Sequence, residues 1–191
     1  LADNEIYQAA TQLLLENDAV IVESDFAPER FERFTEFLGA EMVQDLRLYL
    51  ENVATDVSIK SISDLQEFNL GDTELRAPYG QGLVDMMAEL ALSSEDLAAL
   101  REQVQSYGRT QLDRLFADAN IDVLLSVNNR HAGIAAAANY PALTIPMGYG
   151  VDGRPIGLTF FAPPFSEQIL IDIGAKFEQL SQSRRIPTDY Q

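Results

Sequence analysis

The chain has 191 residues, 47% of them hydrophobic, so it is long and apolar enough to bury a core as one globular domain. Its 30 acidic residues against 13 basic ones give a formal net charge of −17, which disfavours binding to nucleic-acid phosphates and to anionic membrane surfaces. The absence of cysteine excludes disulfides, thiolate nucleophiles and sulfur-ligated zinc.

The first predicted elements are a helix, a strand and a second, longer helix. Apolar side chains at helical spacing predict a helix over residues 3–18, and the run Ala-Val-Ile-Val after it predicts a buried strand near residues 20–24. Pro28 suits a first helical position and predicts that the long helix begins there. The apolar stripe of this helix comprises Phe31, Phe34, Leu38, Met42, Leu46 and Leu50. We interpret the stripe as core, or as a contact with the rest of a larger protein.

The central part of the chain reads as helices separated by loops. Ser63 and Gln66 form a capping-box pattern at the start of a short helix. The loop Arg-Ala-Pro-Tyr-Gly-Gln-Gly then leads into a helix near residues 83–92. Ser93 with Asp96 predicts the N-terminal cap of a further helix.

The last third alternates strands and helices, which indicates a layered α/β arrangement. Residues 122–127 predict a buried strand, followed by the polar loop Asn-Asn-Arg-His and a short alanine-rich helix. Further strands are predicted near residues 142–147 and 155–162. Ser166 then caps a terminal helix.

Three glycines match a dinucleotide-binding fingerprint, since Gly148, Gly150 and Gly153 have the spacing G-x-G-x-x-G. In that motif the third glycine opens a helix that receives the pyrophosphate, whereas here a second strand follows. Asp152 before Gly153 is typical of a tight turn. We therefore predict a β-hairpin and no cofactor.

No local motif assembles a nucleophile with its base. The adjacent serines Ser93 and Ser94 precede acidic residues and read as a helix cap. His131 is the single histidine, so a His-His metal pair is excluded and no metal site is expected. The two lysines, Lys60 and Lys176, have no serine-adjacent setting that would make either one a base.

Four polar residues on or near the loop after the strand predicted at residues 122–127 are candidates for a substrate pocket. His131 lies on that loop, where α/β proteins place ligand-contacting groups. Asn128, Asn129 and Asn139 offer amide donors and acceptors that orient a polar substrate without adding charge. The alternative is that the asparagines satisfy their own backbone in turns and that the histidine is structural.

The segment from Asn139 to Glu167 resembles the C-terminal region of amidase signature enzymes. That family carries a pattern like G-Y-P-A-[IL]-T-[VI]-P-x-G and then D-G-x-P-x-G-L, and this chain has N-Y-P-A-L-T-I-P-M-G and D-G-R-P-I-G-L. Phe177, Glu178 and Gln179 match the F-E-Q of the family's last helix. The stretches E-F-L-G-A-E-M-V-Q-D-L-R-L-Y-L, S-I-S-D-L-Q-E-F-N and P-Y-G-Q resemble the family's middle part, in its order, so the resemblance covers essentially the whole chain.

Two departures from the family pattern bear on the type of amidase. Asn139 replaces the glycine usual before the Y-P pair. Phe160 and Phe161 stand where the related transamidosome subunit more often has Q-x-x-G. Together they favour a general amidase over a glutamyl-tRNA amidotransferase subunit.

The resemblance implies a C-terminal portion of the amidase signature fold: residues 1–191 as a single domain, with a mixed sheet of about four strands flanked by helices. The family's Ser, cis-Ser, Lys triad lies on a glycine- and serine-rich loop with an upstream lysine, in the N-terminal half, and no matching residues occur in this chain. The start at Leu1, inside a predicted helix, also indicates a truncated or processed piece.

The function implied is hydrolysis of a carboxylic amide by a complete enzyme, of which this chain is scaffold and part of the substrate pocket and is inactive alone. The partners implied are the N-terminal half of the same amidase and a small amide substrate, and an exposed face or strand edge would permit a homodimer. Localisation is undetermined, with the cytoplasm slightly favoured. The alternatives are a non-catalytic binding domain with amidase architecture and a piece of a glutamyl-tRNA amidotransferase subunit.

Overall fold

The computed structural model describes residues 5–28 and 31–187. Within these ranges the chain forms eight helices and three strands. They are α1 (Glu5–Leu15), α2 (Phe34–Asn52), α3 (Ile62–Leu70), α4 (Thr73–Arg76), α5 (Gly82–Glu89), α6 (Ser94–Ala119), β1 (Leu124–Val127), α7 (Ala132–Ala138), β2 (Ala142–Tyr149), β3 (Pro155–Phe161) and α8 (Glu167–Ser181).

The chain divides into two compact units. The helical unit is Phe31–Val104, and the sheet unit combines Leu1–Arg30 with Gln105–Gln191. Helix α6 contributes its first part to the helical unit and its second part to the sheet unit. That residues 1–191 form a single domain stays a prediction.

The helical unit is held by close helix packing and by polar contacts between helices. A Cβ atom on Gly39 of α2 would lie 2.9 Å from Cδ1 of Leu90, just after α5, so this approach depends on glycine. Gln66 of α3 donates from Nε2 to Oδ1 of Asp85 on α5 at 2.7 Å.

The sheet unit is built on three antiparallel strands in the order β1-β3-β2. Strands β2 and β3 form the predicted hairpin: Gly153 N donates to Gly150 O, and Gly150 N to Arg154 O, each at 2.9 Å. Gly153 has φ of 78°, which a glycine adopts at little cost. The hairpin prediction is confirmed, and the glycine spacing reflects turn geometry.

Both faces of the sheet are packed, because neighbouring residues of a strand point to opposite faces. Phe160 of β3 belongs to a core shared with α1 and α8, and its ring centroid lies 5.8 Å from that of Phe177. Phe161 belongs to a second core shared with α6 and α7. Both phenylalanines of β3 are almost completely buried, so β3 is the central element of this unit.

The strand predicted near residues 20–24 is absent from the ladder. Residues 19–28 follow α1 without helical or strand assignment, and the described sheet contains three strands, all antiparallel, where about four in a mixed sheet were expected. The α/β class is confirmed. A β-branched run favours extended backbone, but a strand also needs a neighbour to pair with.

Two predicted helix starts are wrong. Pro28 precedes α2, which begins at Phe34, so the proline does not occupy a first helical position. The cap of α3 is Ser61 and not Ser63, because Ser61 accepts a hydrogen bond from Asp64 N. The helix therefore begins at Ile62, before the predicted cap.

Other predicted helix boundaries are confirmed or nearly so. Ser93 accepts from Asp96 N at 3.1 Å just before α6. Ser166 stands at the N-terminal cap position of α8, although its side chain makes no cap hydrogen bond. Helix α1 covers the middle of the predicted range 3–18, whose first two residues lie outside the described part of the chain.

Candidate functional site

The loop between β1 and α7 carries three of the four predicted site residues, namely Asn128, Asn129 and His131. The chain turns at Asn128, where φ is 53° in the left-handed region. Asparagine tolerates this conformation better than most residues, which explains its place directly after a buried strand.

Asn128 fixes the loop to the central strand. Its backbone N donates to Gly157 O, and its side-chain Oδ1 accepts from Gly157 N, both at 2.8 Å. Its carbonyl oxygen accepts a hydrogen bond from the Thr159 hydroxyl. Among the described residues, none accepts a hydrogen bond from the Asn128 Nδ2 group. This amide can therefore donate hydrogen bonds to a ligand.

His131 is held from two sides at the end of the loop. Its Nδ1 lies 2.9 Å from Oγ of Ser126, a completely buried residue of β1. The Phe26 ring lies 5.7 Å away between centroids. Burial lowers the pKa of His131, and the positive charge of Arg130 acts in the same direction. The imidazole is therefore neutral at neutral pH and offers one nitrogen beyond the bond to Ser126.

A row of three hydroxyls crosses the sheet beneath this loop. Ser126, Thr159 and Thr144 face one another in the ladder, and the two threonine Oγ1 atoms are 2.8 Å apart. Ser126 and Thr159 are buried, whereas Thr144 is exposed at the open end of the row. The sequence prediction missed these residues. The available signal was that each of the three apolar strands contains one serine or threonine.

Asn139 lies away from the other predicted site residues, at the opposite end of α7. It caps that helix in the left-handed conformation, with φ of 58° and ψ of 40°. A seven-residue helix is about 10 Å long, so Asn139 and His131 are separated by roughly that distance. Its place in a substrate pocket stays a prediction.

The helical unit contains an open cleft of about 560 Å³ next to the loop after α4. Tyr79, Gln81 and Leu83 are among its lining residues, and none of the predicted site residues is. The cation at its wall, Arg76, already stacks on the Phe68 ring at 3.8 Å and donates to the Phe68 carbonyl. The cleft is therefore mainly an apolar depression.

Neither metal ligands nor a membrane span are found in the part of the chain that the structure describes. No group of three histidine or acidic side chains there could hold a metal ion. No helix of residues 5–28 and 31–187 is long and apolar enough to cross a bilayer.

Known proteins resemble this chain in sequence and in fold. No family model matches it. A relative from Arabidopsis thaliana named a probable amidase is 26% identical over 153 residues, which are 78% of this chain and 30% of that protein. The native peptide amidase of Stenotrophomonas maltophilia is 25% identical, with a TM-score of 0.80 over 95% of this chain. The chain is therefore similar to amidases both in sequence and in fold.

The structural matches to amidases cover nearly all of this chain but less than half of each amidase. An amidase family protein from Bacillus anthracis gives a TM-score of 0.82 at 24% identity, covering 96% of this chain and 36% of that structure. The peptide amidase is covered to 40%. The chain thus spans about a third of the length of its amidase relatives.

Proposed function

We propose that this chain is the C-terminal part of an amidase that hydrolyses a carboxylic amide, with the attacking serine outside residues 1–191. The proposal rests on the structural match to the peptide amidase, which covers 95% of this chain but only 40% of that enzyme. The remaining length of such an enzyme leaves room for a Ser, cis-Ser, Lys triad.

The serine and lysine residues of the described chain support this assignment. A serine nucleophile must reach the substrate and have a base beside it. Ser126 has a histidine beside it, but it is completely buried. Lys60 donates from Nζ to the carbonyl of Thr55 at 2.7 Å, and Lys176 is exposed on α8. These side chains do not form a nucleophile–base pair that a substrate could contact.

The loop from Asn128 to His131 is the part of this chain that we assign to the substrate pocket. Primary amides and a neutral imidazole donate and accept hydrogen bonds without bearing charge, which suits an uncharged carboxamide. The anchoring of Asn128 on Gly157 and of His131 on Ser126 fixes the geometry before a ligand binds. Asn139 joins this pocket only if the substrate extends past α7.

The partner that completes the enzyme is the N-terminal half of the same amidase. Strands β1 and β2 are the outer strands of the described sheet, so each has a side available for pairing. A homodimer through this exposed region is the alternative association. Nucleic acid and membrane are not proposed as partners, because the formal net charge is −17.

The experiment compares this chain with a joined protein, which we define as this chain preceded by the residues encoded upstream of Leu1 in the same frame. Both are tested for ammonia release from a simple carboxamide and from a C-terminally amidated dipeptide. We expect turnover by the joined protein and none by the chain alone. Turnover by the chain alone would contradict the proposal, and a joined protein without turnover would favour a binding domain.

The role of the loop is tested in the joined protein with two asparagine variants. Asn129→Ala removes an amide from the proposed pocket and should raise KM by about fivefold, the loss of roughly one hydrogen bond. Asn17→Ala is the matched control, because the Asn17 side chain is exposed and donates only to Leu13 O. Equal KM values for the two variants would show that the Asn129 side chain does not contribute to substrate binding.

A further inference from the structure

The hydrogen bond between Ser126 and His131 fixes the tautomer of the imidazole. The Ser126 side chain is completely buried, and its Oγ lies 2.9 Å from Nδ1 of His131. No other group of the described chain bonds this hydroxyl. With a proton on Nδ1, the buried hydroxyl hydrogen of Ser126 would lack an acceptor, which costs free energy. The hydroxyl therefore donates to Nδ1, and the proton of the neutral ring lies on Nε2.

The two threonines at the same level of the sheet do not share in this bond. The Thr159 hydroxyl donates its one proton to the carbonyl of Asn128. Thr144 is therefore the donor to Thr159 across the 2.8 Å between their Oγ1 atoms. The Ser126 hydroxyl is thus left to His131, and the direction of its bond does not depend on the threonines.

Most hydrogen-bond acceptors of the loop from Asn128 to His131 are already in use. Three of its backbone carbonyls accept hydrogen bonds, namely those of Asn128, Asn129 and His131. Oδ1 of Asn128 accepts from Gly157 N at 2.8 Å. Within the described chain the Asn129 amide still offers an acceptor, and the other side chains of the loop offer only donors.

The donors that remain are Nδ2 of Asn128, Nε2 of His131 and the Arg130 guanidinium. Arg130 is exposed, and no carboxylate of residues 5–28 and 31–187 forms an ion pair with it. In a chain of net charge −17, this arginine adds positive charge next to the imidazole. An oxygen with free lone pairs satisfies these donors, whereas an ammonium group, which only donates, does not.

We propose that this loop binds a carbonyl or carboxylate oxygen of the substrate, and that His131 donates to this oxygen from Nε2. The substrate is thus a carboxamide with a second carbonyl or a carboxylate, since the cleaved group itself has to lie against the serine outside this chain. The inference rests on the proposed function, because the ligand is the substrate of the amidase. His131 is then a specificity-determining residue, and Ser126 is a positioning residue that fixes the tautomer. Arg130 adds an opposite charge when the bound group is a carboxylate.

Nitrogen-15 NMR of the imidazole tests the tautomer in this chain, where His131 is the single histidine. At about pH 8, where an imidazole is neutral, we expect Nε2 to show the shift of a protonated nitrogen and Nδ1 that of an unprotonated one. Ser126→Ala should average the two shifts, whereas Thr144→Val, which removes a hydroxyl that does not bond the ring, should leave them unchanged. A proton on Nδ1, or averaged shifts in the unaltered chain, would overturn the inference.

Three amides of similar length test the donor in the joined protein: an N-acetylamino amide, the monoamide of a dicarboxylic acid and an alkyl amide without a second acceptor. His131→Leu should raise KM about five- to tenfold for the first two, the loss of one hydrogen bond, and leave the alkyl amide within about twofold. His131→Gln keeps an N–H donor and should restore most of the loss. Equal changes for all three amides would show a structural role and overturn the inference.

Arg130→Gln distinguishes the two acceptors. For the monoamide, which bears a carboxylate, KM should rise about tenfold when that group is bound, since hydrogen bonds to charged groups are the stronger ones. A rise for the monoamide alone identifies a carboxylate ligand, and unchanged KM values with the His131 effect retained identify a carbonyl. Arg114→Gln on α6, where the side chain is 81% exposed, makes the same charge change and is the matched control. An equal rise in that control would overturn the role of Arg130.

Turnover separates this inference from the proposed function. Ammonia release with KM values that His131→Leu leaves unchanged for all three amides would overturn this inference and keep the amidase. No ammonia release by the joined protein would overturn the proposed function and the substrate contact of His131 together, whichever tautomer the NMR spectra show.

Discussion

His131 is the single histidine of the chain, so its titration is observed without overlap from other imidazoles. Burial lowers its pKa below the ordinary value of 6.5. Between the folded-state pKa of His131 and its ordinary value of 6.5, the unfolded chain binds more protons than the folded chain. The free energy of unfolding therefore rises with pH over this interval. The contribution of His131 is full above pH 6.5 and is lost as the pH falls through the folded-state pKa.

We expect the C2 proton of this imidazole, followed by NMR, to titrate with a pKa below 6.5. His131→Gln, which cannot titrate, should flatten the pH dependence of unfolding below pH 6.5. A titration midpoint at or above 6.5 would show that a nearby carboxylate outweighs burial.

Asn139 is a second residue whose backbone sets its effect. Because φ is 58°, Asn139→Ala should destabilise the chain by about 1 kcal/mol, whereas Asn139→Gly should stay within a few tenths of asparagine. Urea unfolding measures both. Equal losses in the two variants would mean that the asparagine side chain itself has a stabilising partner.

At the scale of elements, α6 approaches α7 through a glycine. A Cβ atom on Gly108 would lie 2.8 Å from the backbone N of Ala138, and backbone yields less readily than a flexible side chain. Gly108→Ala should therefore cost about 1–3 kcal/mol, even though alanine favours helix by about 1 kcal/mol.

The matched control for that substitution is Gly82→Ala at the start of α5, where an added Cβ meets nothing within 4 Å. It should be neutral or stabilise by up to about 1 kcal/mol in the same thermal or urea assay. A neutral Gly108→Ala would show that the two helices move apart easily.

The elements that the sequence predicted correctly are those fixed by local chemistry. The hairpin follows from Asp152 and Gly153, and the start of α6 follows from Ser93. The strand at 20–24 was predicted wrongly because pairing depends on residues distant in sequence or outside the chain. The hydroxyl row was missed for the same reason, because only the strand register brings Ser126 and Thr144 to one level of the sheet.

The position of the candidate loop in the chain follows from the sequence, whereas its role in a substrate pocket stays a prediction. Polarity after a buried strand identified the loop that contains Asn128 and His131, but not that Gly157 and Ser126 anchor it. Asn139 was grouped with them because it is near in sequence, although a helix lies between. The two ends of a helix lie apart in space by the length of the helix, and nearness in the sequence does not reveal this distance.

At the scale of the whole molecule, the net charge of −17 should make stability depend on salt. Self-repulsion of like charges opposes the compact state, and salt screens it. Surface ion pairs such as Arg114–Asp118, whose side chains are 81% and 70% exposed, contribute little in return. We expect Tm to rise by a few degrees between about 0.02 and 0.5 M sodium chloride. A fall in Tm would mean that local ion pairs outweigh the net charge.

Covalent labelling tests directly whether the amidase that we propose has its nucleophile outside residues 1–191. A fluorophosphonate reacts with activated serines, and mass spectrometry of the joined protein then locates the adduct. We expect one adduct upstream of Leu1 and none within this chain. An adduct on any serine of residues 1–191, Ser126 included, would contradict it.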